Sequence, residues 1–271
     1  MNGALGSNTA YLSQNYENSV SKGMLLIEKN RLKEQITKIS NANYQLEAHA
    51  IGDGAFRELL DTAKEFKSEL KRPIFTHCQI VNEEILKELS THKDMNIVAN
   101  IQPQFTESDL PIIESKIGKK NLRFSYCWKS LRHAGMVIAG GSDAPVEPPN
   151  PIHGMACAFK NPLHEAENLS LAETLALYTI NAAFASFKED SIGLLKKGYV
   201  ADLTVLDTED SLDSILLGEK ERYGNGNLID STYINGQLVY SKSHKQSDFF
   251  KTDPNHPGKS GMPKWRCPCQ R

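Results

Sequence analysis

The chain has 271 residues, enough to bury a substantial core, and a net charge of −2 with acidic and basic residues interspersed. No basic stripe asks for nucleic acid, and the longest apolar run near the start, Met24–Ile27, is far too short to cross a bilayer or to form a signal-peptide core. Five cysteines, an odd number, do not make a secreted disulfide framework, so the expectation is a cytoplasmic protein without nucleic-acid or membrane partners.

Residues 23–39 have the spacing of a helix. Residues 44–49 (YQLEAH) make a short buried strand that "GDG" breaks, and 54–70 return to helical spacing with Phe56, Leu59, Leu60, Ala63 and Phe66 on one face. Asp53 is placed to cap that helix. A strand follows over 72–77, then a helix over 82–92 with Asn82 as its N-cap, then an apolar, β-branched strand over 95–102. Two short helical pieces come next, the second with Trp128, Leu131 and Ala134 on one face, and "GMVIAGGSD" (135–143) supplies a fourth strand. Strands alternating with helices imply an α/β fold with a parallel sheet, open or closed into a barrel.

Beyond the proline-rich loop 145–151 the pattern predicts helices at 152–160 and 170–186, the latter with Ser170 and Glu173 as a capping box. Residues 193–207 and 231–240 read as strands with glycine turns, a small antiparallel element. Residues 241–271 are polar and read as a loosely ordered tail, in which Cys267 and Cys269 form an isolated "CPC". Cys78, Cys127 and Cys157 lie in apolar or mixed surroundings and read as buried thiols.

The strand ends carry the chemistry. His49 closes the first strand, His77 the second and Asp143 the fourth, while the third runs into "QPQF" with Gln102 and Gln104. Two imidazoles and a carboxylate on one rim are the ligand types that a divalent metal such as zinc prefers. Taken singly, each histidine is as well explained by a bond to backbone, and Asp143 by capping of its loop. His92 and His133 fall near helix C-termini, where imidazolium suits the helix dipole. His153 opens the helix after the proline-rich loop, on the side of the rim where a substrate would be met.

Taken together, "HAIGD" (49–53), "QPQF" (102–105), "AGGSDAPVEPPNPIHG" (139–154), "IGLLKKGYVADLTVLD" and "YINGQLVY" resemble the amidohydrolase-3 branch of the amidohydrolase superfamily, the group of N-substituted formamide deformylase-like and YtcJ-like enzymes. The opening "NGALGSNTAYL" is similar to that family's "DGSLGSRTA", with Asn2 at the usual aspartate. The resemblance runs from residue 1 to about 240. It implies a distorted (β/α)₈ TIM-like barrel with one or two divalent metals, zinc first and iron or manganese as alternatives. His49, His77 and Asp143 would then end barrel strands five, six and eight. The histidines would be ligands, and Asp143 both a ligand and the base that takes a proton from an activated water and passes it to a leaving nitrogen. Gln102 and His153 would meet an amide-like small-molecule substrate.

The same resemblance implies a division into a partial barrel with strands five to eight (1–190), the C-terminal part of a β-sandwich (191–240) and the tail. No His-X-His, the family's first-strand ligand pair, occurs in the chain. The expectation is therefore a truncated form with two open sheet edges, an apolar inner face and weak metal binding. Its functional alternatives are a metal-dependent hydrolase of non-peptide C–N bonds, an inactive half-barrel that forms a homodimer or joins a separate N-terminal half, and a plain metal- or ligand-binding module.

Overall fold

The computed structural model describes residues 3–218 and 228–243. The elements run α1 (Lys29–Asn41), β1 (Glu47–Ala50), α2 (Asp53–Glu65), β2 (Ile74–His77), α3 (Glu83–Thr91), β3 (Val98–Ile101), α4 (Phe105–Asp109), α5 (Ile113–Ile117), α6 (Trp128–His133), β4 (Val137–Gly140), α7 (Pro151–Phe159), α8 (Leu171–Leu177), α9 (Ile180–Ala185), β5 (Leu203–Leu206), α10 (Leu212–Leu217), β6 (Ile229–Ile234) and β7 (Gln237–Ser241). Two compact units result. One is Met1–Val200 with Thr208–Leu228; the other is Ala201–Asp207 with Ile229–Arg271. The tail from 244 onward, with Cys267 and Cys269, lies outside the described residues.

In the first unit four parallel strands pair in the order β1-β2-β3-β4. The expected α/β architecture is present, and the parallel sheet with its intervening helices is part of a TIM-like barrel. Each strand is four residues long, shorter than its expected run, and most of the residues lost lie at the N-terminal end, away from the rim. Ala48, Phe75, Ala99 and Ile138 stand in one row of the register. Phe75 packs edge-on against Phe56 of α2 with ring centroids 5.2 Å apart, which marks this as the helix side. The opposite side is mixed rather than apolar. His49, Thr76 and Asn100 form one row there, and Glu47 accepts hydrogen bonds from Thr76 Oγ1 (2.6 Å) and Asn100 Nδ2 (3.2 Å).

The predicted apolar faces are used as expected. Phe56, Leu59, Leu60 and Ala63 of α2 are buried, as are Trp128 and Leu131 on α6 and Ala134 at its C-cap. Asn82 caps α3 by accepting from Ile85 N (3.0 Å), and Ser170 with Glu173 closes the capping box of α8. Two details differ. Residues 23–28 are not helical, and α1 begins at Lys29. The helix expected over 170–186 is two helices, separated by Thr179 at φ −126° and ψ −103°, a break that no glycine or proline announces. The second unit is an antiparallel sheet, β5-β6-β7, as the glycine turns suggested, although of the strand expected over 193–207 only Leu203–Leu206 forms. Among the described residues no helix is long and apolar enough to cross a membrane.

Candidate metal centre

His49 lies in β1 and His77 is the last residue of β2. By strict alternation His77 would share the face of Phe75, turned toward the helices. The backbone instead enters the left-handed region at His77 (φ 79°) and again at Cys78 (φ 52°). Two successive non-glycine residues held there mark a locally strained turn, of the kind that re-aims side chains at functional sites. The His77 ring stands edge-on to His49, centroids 4.2 Å apart, and stacks on Phe105 at 5.9 Å.

The electrostatics follow from this placement. His77 is buried, and its Nδ1 has no hydrogen-bond partner. Burial, reinforced by the neighbouring His49, pulls its pKa down to about 3, against a smaller opposing effect of Gln102. His49 is also lowered, chiefly by burial, with the Asp143 carboxylate pulling the other way. Both shifts favour the neutral ring, and the unpartnered nitrogen is Nδ1 of His77. Asp143 sits in the exposed loop after β4, with its own backbone left-handed at φ 56°. The structure therefore brings the two histidines into contact, with Asp143 close enough to act on His49.

Gln102 is buried; its Nε2 donates to Asn100 O (3.1 Å) and its Oε1 has no partner. Gln104 holds the proline-rich loop, its Nε2 donating to Asn150 O at 3.2 Å. His92 is the C-cap of α3, where its Nδ1 meets Glu88 O at 3.0 Å, and His133 ends α6. His153 is buried on α7, with Nε2 3.2 Å from Glu107 Oε2.

Asp53 does something other than cap its helix. Gly52 occupies the cap position, and the Asp53 carboxylate reaches back to the N-terminal segment. It accepts from Ser13 N (2.9 Å), from the Ser13 hydroxyl and from Asn82 Nδ2 (3.1 Å). A Cβ on Gly52 would stand 2.1 Å from Tyr11 O, so glycine is required for this approach. The "GD" after His49 thus locks residues 11–13 over the start of α2. A cleft of about 620 Å³ opens beside this lock, lined by Ser13, Asp53, Asn82, Lys87 and Arg123 among others. It contains none of the rim residues His49, His77 and Asp143. The histidine pair lies apart from this cleft, and its His77 combines a left-handed backbone with a buried ring nitrogen that has no hydrogen-bond partner.

The Amidohydrolase family model matches residues 1–240. The chain belongs to the amidohydrolase family. The match is to the amidohydrolase-3 branch, as the strand-end motifs implied. YtcJ of Bacillus subtilis (strain 168), which is named as an amidohydrolase, is 33% identical over 253 residues, covering 89% of this chain and 46% of its own length. Protein LONG AFTER FAR-RED 3 of Arabidopsis thaliana is 28% identical over 251 residues, covering 89% and 42%. Among solved structures, an uncharacterized metal-dependent hydrolase from Pyrococcus furiosus superposes with a TM-score of 0.67 at 28% identity, over 73% of this chain and 41% of that one. This amidohydrolase chain spans less than half the length of each of these relatives.

Sequence reasoning passed over two polar residues that the fold gathers. Glu107 of α4, and Cys157 of α7, which was read only as the buried thiol that it is, join His153. The signal available was the four-residue spacing of His153 and Cys157 on one expected helix; Glu107, 46 residues before His153, carried none.

Proposed function

We propose that His49, His77 and Asp143 are this chain's contribution to a divalent-metal centre that hydrolyses a non-peptide carbon–nitrogen bond in an amide-like small molecule. The observation that carries this reading is the buried His77 Nδ1 without a partner, beside a second imidazole that burial also keeps neutral. Neutral imidazole is the ligating form, and a buried nitrogen lone pair left unpaired costs stability unless something takes it up. The donor set of two imidazoles and a carboxylate suits zinc first, with iron and manganese behind it.

When bound, such a metal polarises a carbonyl oxygen and acidifies water. Asp143, exposed at the rim, accepts the proton of the attacking water on its carboxylate and returns it to the leaving nitrogen. Gln102 Oε1, buried and unpaired, accepts a hydrogen bond from the substrate's amide N–H and so orients the scissile carbonyl. Phe105 against His77 keeps one wall of the imidazole dry.

The test is the metal content of the purified chain, measured by plasma emission spectrometry for the wild type and for a His49→Ala, His77→Ala double variant. A fall of one equivalent in the variant is expected. Equal metal in both proteins would overturn the reading.

A second reading rests on the sheet. Among the described residues β1 and β4 each have one edge without a neighbouring strand. A catalytically inactive half-barrel that pairs with a second copy, or with a separate N-terminal half, would cover those edges. Light scattering across a concentration series tests the first of these: a monomer throughout would remove the second copy.

A further inference from the structure

α4 and α7, the helices that follow β3 and β4, bring together three donor side chains that the reading above does not use as ligands. The ligand atoms of Glu107, His153 and Cys157 all lie within 4.8 Å of one another. His153 Nε2 is 3.2 Å from Glu107 Oε2, and Cys157 Sγ is 3.7 Å from Glu107 Oε1. His153 and Cys157 are four residues apart and so share one face of α7. Both are buried, at 6% and 3% exposure, while the Glu107 side chain is partly exposed.

The three ligand atoms are near enough for one ion to draw them into a coordination shell. With zinc bonds of about 2.0–2.3 Å to nitrogen, oxygen and sulfur, neighbouring ligand atoms stand roughly 3.3–3.7 Å apart. The arrangement is also held from outside the trio. Asn150 caps α7 by accepting from His153 N (3.2 Å), and Gln104 at the head of α4 donates to Asn150 O (3.2 Å). A cavity of about 240 Å³ opens on the carboxylate and the thiol, lined also by Lys160, Pro162, Leu216 and Leu217. It leaves space for a fourth ligand.

We propose that Glu107, His153 and Cys157 form a second metal site, of zinc type, with three protein ligands and a fourth position facing this cavity. On binding, the Cys157 thiol releases its proton to solvent, the His153 ring carries its one proton on Nδ1 so that Nε2 can ligate, and Glu107 offers an ionised oxygen. A mixed nitrogen, oxygen and sulfur set selects zinc over calcium or magnesium. Phe105, which opens α4, is the ring stacked on His77. An ion on Glu107 would therefore fix the helix that packs against the rim histidine.

The probe is Co(II) titrated into the metal-free full chain, with Cys267→Ser and Cys269→Ser in the background to silence the tail thiols. The expected result is a near-ultraviolet thiolate-to-cobalt charge-transfer band, which saturates at one equivalent where the rim histidines are removed. It persists in the His49→Ala, His77→Ala variant and disappears in Cys157→Ser. Glu107→Gln, which preserves shape, weakens cobalt affinity at least about 10-fold. Circular dichroism establishes that Cys157→Ser is folded; if it is not, Glu107→Gln decides. Absence of the band, its survival in folded Cys157→Ser, or unchanged affinity in Glu107→Gln would each overturn the site and leave an ordinary histidine–glutamate pair beside a buried thiol. Loss of the band in the double-histidine variant alone would do the same.

Discussion

Replacing Gly154 by alanine sets two physical effects of opposite sign against each other. Gly154 lies inside α7, where alanine's better helix propensity favours the substitution by about 1 kcal/mol. The added Cβ, however, would stand 1.8 Å from Tyr178 Oη, 2.7 Å from its Cζ and 3.2 Å from Gln104 Oε1. The phenol has nowhere to retreat, because Gly140 of β4 faces the same ring, its own Cβ position 2.7 Å from Cζ. Overpacking of this kind costs about 1–3 kcal/mol, and a clash this close belongs at the upper end. We expect a net loss of about 1–2 kcal/mol, the difference of the two effects. The Tyr178 hydroxyl is itself buried without a hydrogen-bond partner, so Tyr178→Phe should be neutral or stabilising. The double variant should recover at least about 1 kcal/mol of the glycine defect, since the worst contact is to the deleted oxygen. Urea unfolding of the four proteins, with m-values compared, measures all three quantities. A Gly154→Ala chain as stable as wild type, or zero coupling to Tyr178, would refute the reasoning.

Phe75→Ala should cost about 3–5 kcal/mol, because the ring is fully buried between the sheet and Phe56; a loss below 1 kcal/mol in the same assay would contradict that packing. Glu88 on α3 lies between Lys64 and Arg57 of α2, and the Lys64 hydrogen bond holds its carboxyl below the usual 4.5. A carboxylate whose folded pKa is lowered contributes stability above its unfolded pKa, lost as pH falls through the folded value. Glu88→Gln should therefore cost about 0.5–1 kcal/mol at neutral pH and converge on wild type in acid; a gap that widens on acidification would reverse the assigned sign.

The positions of the candidate rim residues were legible because they carry local signatures. His49 and His77 each close an apolar run, and Asp143 follows a glycine pair, so strand-end logic alone collects them. What that logic lacks is orientation. Alternation turns His77 toward the helices, and only the left-handed backbone at 77–78 delivers it to His49. Asp53 misled for a related reason: an aspartate at a helix start ordinarily caps it, but Gly52 takes that position and frees the carboxylate for Ser13, forty residues away. The break at Thr179 has no composition signal. Glu107 meets His153 and Cys157 only through the packing of α4 on α7, a long-range fact invisible to spacing.

The register of the two sheets also sets an order in time. Across the parallel sheet Glu47 pairs with Ile74, Ile74 with Val98 and Val98 with Val137, offsets of 27, 24 and 39 residues. No pair of those strands is joined by a hairpin, so each must close a long loop, helix included, before its first ladder bond forms. β6 and β7 instead meet across Asn235-Gly236, both residues at positive φ, with Ile234 opposite Gln237. A hairpin of that kind closes in roughly 1–10 μs, whereas non-local parallel pairing belongs to the slow end of the folding spectrum. The rim histidines, on two different strands, can meet only after the slow step. A full-length chain refolding from the unfolded state will therefore close the hairpin of its small sheet before its two rim histidines meet.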